Sequence, residues 1–166
     1  RVRSHPELRD GLGCPPSGER PVRIEISIPS SHMFLGVPDA VIQEIGSELP
    51  FSQSELDELS TSVIEACTNA IEHGNGLQED VLALIEFEFS VDRFEITIWD
   101  HGPGFEYTAK DFSKMPPDLM RERGRGLYMM SAFCDDISFA RRDGLFGVKL
   151  TKIPREAAEA PDSATG

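Results

Sequence analysis

The stretch Glu65-Ala66-Cys67-Thr68-Asn69-Ala70-Ile71-Glu72-His73-Gly74 decides how the rest of the chain is read. Small apolar residues at 66, 67 and 70 suit the buried face of a helix, while Glu65 and Asn69, four apart, share another face. Ser62 and either Glu72 or His73 are expected to flank them. A carboxylate and a carboxamide projecting together can share the coordination shell of a hard cation and polarise a hydroxyl. Taken alone, the same spacing is more often an ordinary solvated helix face.

Upstream, Ser52-Gln53-Ser54-Glu55 forms a capping box. Leu56, Leu59, Val63, Ala66 and Ala70 continue from it as an apolar stripe, with Gly74 as its stop. Before it, the spacing of Met33, Val37, Val41 and Ile45 predicts a helix over about 32–48, with Pro50 just beyond its end. Val22, Ile24, Ile26 and Ile28 alternate with Arg23, Glu25 and Ser27 in a half-buried strand stopped by Pro29. Downstream, strands over 81–90 and 93–100 join at Asp92-Arg93, with Phe94, Ile96, Ile98 and Asp100 on one face. Residues 106–123, with Pro116-Pro117, lack periodicity and are expected to be a functional loop of the lid kind. A third helix runs from near Gly126 to about Phe133, and a hairpin of 136–142 and 145–152 turns at Asp143-Gly144. The order β-α-α-β-β-lid-α-β-β predicts an α/β two-layer sandwich, a mixed, mostly antiparallel sheet with helices on one face.

At 166 residues the chain is sized for one core, and 39% hydrophobic with 27% charged residues fits a globular domain. A formal charge of −13 argues against a nucleic-acid backbone as main partner. No apolar run approaches the roughly twenty residues of a membrane span, and residues 1–6 carry no apolar signal core. Cys14, Cys67 and Cys134 form no CxxC pair, so a reducing cytoplasm is expected, with Cys67 a small buried hydrophobe. Pro- and Gly-rich residues 1–20 read as a flexible arm, 21–153 as the folded domain and 154–166 as a disordered tail. Between Ile24 and Asp92 there are fourteen Asp or Glu and no Lys or Arg. Positive charge returns at Lys110, Lys114, Arg121, Arg123 and Arg125, where it fits either a solvated surface or an anionic ligand.

Two further segments sit awkwardly in their elements. Asp100-His101-Gly102-Pro103-Gly104-Phe105 ends an apolar strand with a carboxylate able to accept from an exocyclic amine, followed by glycines that admit a ligand to the backbone. Gly124-Arg125-Gly126-Leu127 opens a helix without a bulky first turn, leaving backbone N–H groups for an anion. Singly, these also fit a strand-exit turn and a hinge.

Together, in this order and with a lid between the last two, the segments resemble the N, G1 and G2 boxes of the GHKL superfamily of ATPases, which have the Bergerat ATP-binding fold. Glu-Ala-x-Thr-Asn-Ala-x-x-His and the short lid look most like bacterial anti-sigma-factor serine-protein kinases, a likeness covering roughly residues 20–153. The resemblance implies that Asn69 holds the Mg²⁺ that bridges the ATP phosphates and that Glu65 is the base for a substrate serine. Asp100 would bind the adenine amino group, Gly102, Gly104 and Phe105 would line the nucleotide, and Gly124, Gly126 and Leu127 would cradle phosphates. His73 matches a recurrent histidine of the N box and is placed with the nucleotide-binding residues. Arg121, Arg123 and Arg125 are candidates to neutralise phosphate charge. Tyr128 stands where the family usually carries a small residue.

The implied protein is a cytoplasmic homodimer that phosphorylates a STAS-domain anti-anti-sigma protein and sequesters a sigma factor, with no direct contact to nucleic acid or membrane. Two alternatives stand beside it: a nucleotide-gated binding module that transfers no phosphate, and the catalytic domain of a sensor histidine kinase. Glu65 favours the kinase, because nucleotide binding alone needs no base.

Overall fold

The computed structural model describes residues 21–104 and 123–155. Strand β1 (Val22–Pro29) leads through a short 3-10 turn (His32–Phe34) into helices α1 (Gly36–Gly46) and α2 (Gln53–Asn69), the latter extended by a π turn (Ala70–Gly74). Strands β2 (Leu82–Phe89) and β3 (Phe94–Asp100), helix α3 (Arg123–Phe133), and strands β4 (Asp136–Arg142) and β5 (Leu145–Lys152) follow. The strands and α-helices of the described residues follow one another in the predicted order.

One five-stranded sheet has the order β1-β2-β3-β5-β4. Every neighbouring pair is antiparallel, so the expected mixture has no parallel pair among the described residues. The reason is topological. The crossover through α3 gives β3 and β4 the same direction, and β5 then enters between them, antiparallel to both.

Strand alternation puts Ile85 and Phe87 of β2, Phe94, Ile96 and Ile98 of β3 and Leu150 of β5 under the helices, all essentially inaccessible. Against them α2 and its π extension lay Leu56, Leu59, Val63, Ala66, Cys67 and Ala70, also buried. The other sheet face carries charge. Glu86 receives the guanidinium groups of Arg23 (2.5 Å) and Arg142 (2.6 Å), and Arg142 stacks over the Trp99 ring. Arg142 of the last hairpin thus answers a carboxylate of the acidic run between residues 24 and 92.

The helix expected over 32–48 is broken at Leu35. Pro38 has no N–H to donate to a preceding turn, and it is tolerated only in a helix's first turn, so α1 begins at Gly36. The break changes the buried face. Pro38, Ile42 and Gly46 are inside, whereas Met33 is 79% exposed and Val37 41%. Met33, Val37 and Val41 instead line an open apolar groove with Ile24 of β1 and Ile45.

Candidate active site

Helix α2 is anchored at its start. The Ser52 N–H donates to Glu55 Oε2 (2.8 Å), and the Glu55 N–H returns to Ser52 Oγ (3.3 Å). With the apolar stripe fixed on the sheet, Glu65 and Asn69 fall at its half-buried margin. Ser62 does not join them: it is fully buried, and its hydroxyl donates to the Glu58 carbonyl. Helix α3 closes over the pair. A Cβ on Gly126 would lie 2.6 Å from Glu65 Oε2 and 3.8 Å from Asn69 Nδ2. Within the described residues the helix already includes Arg123, earlier than expected, so Gly124, Arg125 and Gly126 are all helical. N–H groups of a first turn have no intrahelical acceptor, and the positive end of the helix favours a carboxylate or phosphate beside it.

After Asn69 the helical hydrogen bonding slips by one residue, and the Asn75 N–H reaches the Ala70 carbonyl at 2.8 Å. Such π turns often mark functional sites. This one lays Gly74 on Asp100. A Cβ on Gly74 would overlap the Asp100 carboxyl, and one on Gly102 would lie 2.6 Å from the Gly74 Cα. Gly74 is therefore needed for close approach; the left-handed residues that end the helix are Gly76 and Leu77.

Asp100 points inward at the end of β3, with 5% of its surface exposed. Burial pushes its carboxyl above the usual carboxylate range, against the Gly102 N–H, which donates to Oδ1 at 2.7 Å, and against the fields of His101 and Arg141. The Arg141 guanidinium also donates to the Pro103 carbonyl. Gly104 adopts φ +72° beneath the Phe146 ring, a conformation and a closeness that only glycine meets.

The structure thus builds two groupings, Glu65 and Asn69 under Gly126, and Asp100 with Gly74 and Gly102. His73 has an exposed side chain, with Nε2 3.9 Å from Glu72 Oε2, while Glu72 Oε1 lies 2.8 Å from His32 Nε2. Leu127 packs on the hydrophobic core. Tyr128 is 58% exposed on α3, so its bulk is turned to solvent. Phe105, Arg121 and the expected lid up to residue 122 lie outside the described residues. Cys67 is sealed in the core, where burial pushes its thiol up to about 12, and it has no nucleophilic role.

Sequence reasoning missed Asn75 and Ser30, both buried. Asn75 Oδ1 accepts the His101 N–H (2.9 Å), and its Nδ2 donates to Ser30 Oγ (2.9 Å). In the sequence, His73-Gly74-Asn75-Gly76 looks like a plain turn.

Among the described residues no three His, Cys, Asp or Glu side chains gather to hold a metal. A Mg²⁺ ion does not need such a cage, since it binds through one or two protein oxygens and keeps substrate phosphates and water as its other ligands. The half-buried Asn69 carboxamide, next to a carboxylate and a helix N-terminus, fits that kind of site.

The family model for histidine kinase-like ATPase domains matches residues 35–152. The serine-protein kinase RsbW of Bacillus subtilis is 29% identical over 137 residues, 78% of this chain and 84% of that protein. The protein of the same name from Bacillus cereus strain Q1 is 28% identical over 149 residues, 85% of this chain and 91% of its own. Among solved structures, the SiaB-SiaC complex from Pseudomonas aeruginosa has a chain that superposes with a TM-score of 0.58 at 11% identity, covering 80% of this chain and 89% of that one. The RsbU and RsbW domains of a Mycobacterium tuberculosis protein give 0.55 at 13% identity, covering 80% of this chain and 32% of that one. Those two likenesses concern the fold; the family match reaches from the turn before α1 to the last residue of β5, and the chain belongs to the histidine kinase-like ATPase domain family of the GHKL superfamily.

Proposed function

We propose that the protein is an ATP-dependent serine-protein kinase and anti-sigma factor. It phosphorylates a STAS-domain anti-anti-sigma protein and otherwise holds a sigma factor, in the cytoplasm and as a homodimer. The observation that carries this is the convergence of Glu65 and Asn69 beneath Gly126, with a second carboxylate, Asp100, buried at the end of β3. The names of the Bacillus relatives support the serine-kinase branch.

Asp100 takes the adenine amino group, and the glycines at 102 and 104 leave room for the base against the backbone. Asn69 holds Mg²⁺ together with the nucleotide phosphates, and the ion supplies charge neutralisation there when bound. In α3, Gly124 to Gly126 offer N–H groups to the phosphates, and Arg121, Arg123 and Arg125 add positive charge. Glu65 accepts the proton of the substrate serine as its oxygen bonds to the γ-phosphorus; the bond from that phosphorus to the β–γ bridging oxygen breaks and ADP leaves. A transfer of this kind asks mainly for positioning and electrostatic support, for which one base beside a helix N-terminus suffices. For the homodimer, the open groove of Ile24, Met33 and Val37, beside the sheet-edge strand β1, offers an apolar surface to a second copy.

The test is transfer from γ-labelled ATP with Mg²⁺ to STAS-domain proteins of the source organism. Label is expected on a STAS serine, absent with Asn69→Ala and reduced about a hundredfold or more with Glu65→Gln, while Glu65→Gln keeps nucleotide affinity within a few fold. Nucleotide binding without label on any candidate would favour the gated binding module. Label on a histidine of a separate dimerisation domain would favour the sensor kinase.

A further inference from the structure

Asn75 has no part in the chemistry above, yet its polar groups join four pieces of chain. The side chain is 3% exposed. Its Oδ1 accepts the His101 N–H just past β3, and its Nδ2 donates to Ser30 Oγ just past β1. That hydroxyl donates to the Val81 carbonyl, just before β2, at 2.5 Å. The Asn75 backbone N–H closes the π turn on Ala70. The residue before it, Gly74, lies against the Asp100 carboxyl, and the residue after His101 is Gly102, packed on Gly74. Asn75 thus ties the helix end and the strand end together on either side of Asp100.

We infer that Asn75 is a positioning residue for base selection, fixing the Asp100 carboxylate so that the site favours a purine with an exocyclic amine over one with a carbonyl at the same position; this rests on Asp100 being the base-recognising group. A carboxylate held rigidly accepts from an amine but meets a carbonyl oxygen lone pair to lone pair. Once the tie is loosened, the carboxylate can shift and admit a water between, which weakens the amine and relieves the repulsion. Sites built on a fixed buried polar group discriminate strongly for this reason.

The experiment is to measure dissociation constants for ATP and for inosine triphosphate, alongside thermal unfolding. The proteins are the full chain and the variants Asp100→Asn, Asn75→Ala and Ser30→Ala. The unaltered protein is expected to prefer ATP by about tenfold or more, from one charge-assisted hydrogen bond. Asn75→Ala should cut that preference by about fivefold or more, chiefly through weaker ATP binding, and Ser30→Ala should cut it in the same direction by less. A folded Asn75→Ala protein with the same preference, even if less heat-stable, would show that Asn75 serves the fold alone and overturn the inference. Should Asn75→Ala not fold, an unchanged preference in Ser30→Ala overturns it instead. No preference in the unaltered protein, or none lost in Asp100→Asn, would instead remove the adenine role of Asp100, and the inference with it.

Discussion

At Asp100 the fold keeps a carboxylate almost out of water, and burial raises its protonation range against the opposing Gly102 N–H, His101 and Arg141. A carboxyl raised in the folded state contributes most stability below its ordinary range and loses it as pH rises through the folded value. Asp100→Asn keeps an oxygen for the Gly102 N–H and removes the charge. We predict that the variant unfolds at a higher temperature than the parent near pH 8, that the gap shrinks toward about pH 4, and that ATP binds about tenfold or more weakly. Thermal scans across that range and a nucleotide titration check both halves. In the sequence, Glu65, Asn69 and Asp100 were marked by the likeness of their segments to the N and G1 boxes, because Glu65 and Asn69 lie off the apolar stripe of α2 and their spacing alone fits a solvated face. Asn75 and Ser30 were not, since their bonds reach backbone groups and each other across 26 to 51 positions of chain, and nothing local marks such partners.

Among the elements, α3 shows a conflict between what a helix prefers and what the site needs. Alanine at position 126 would favour the helix by about 1 kcal/mol over glycine. Its Cβ would also fall 2.6 Å from Glu65 Oε2, displacing the carboxylate. Gly126→Ala is therefore expected to match or exceed the parent in stability while phosphotransfer falls about tenfold or more; chemical denaturation and the labelled-ATP assay measure the two. Element boundaries followed the sequence where local chemistry sets them, as at the capping box of α2 and the Asp143-Gly144 hairpin. They departed where one residue vetoes a pattern, as Pro38 does for the helix expected from 32. The π turn left no trace in the sequence, because it ends the helix and no apolar stripe follows it to show the wider spacing.

For the molecule as a whole, the last strand fastens α2 and α3 to the sheet. Lys152 is 1% exposed, and its Nζ donates to Glu58 of α2 (2.6 Å) and to the carbonyl of Phe133 at the end of α3 (2.5 Å). Just beyond, the Arg155 N–H donates to Glu55 at 2.6 Å, so Pro154 and Arg155, expected to begin the tail, run against α2. Lys152→Met should cost about 2 kcal/mol, with Arg155 still partly answering Glu58, and lower the melting temperature by about 4–8 °C, as calorimetry would show. The place of β5 between β3 and β4 has a consequence for how the protein is made. A ribosome delivers β3 and β4 before the strand that joins them, and Phe146, which shelters Gly104, belongs to that last strand. Until residues 145–152 leave the exit tunnel, the nascent domain therefore lacks both the strand that joins β3 to β4 and the ring over Gly104, and the Asp100 end of the candidate site is completed all at once.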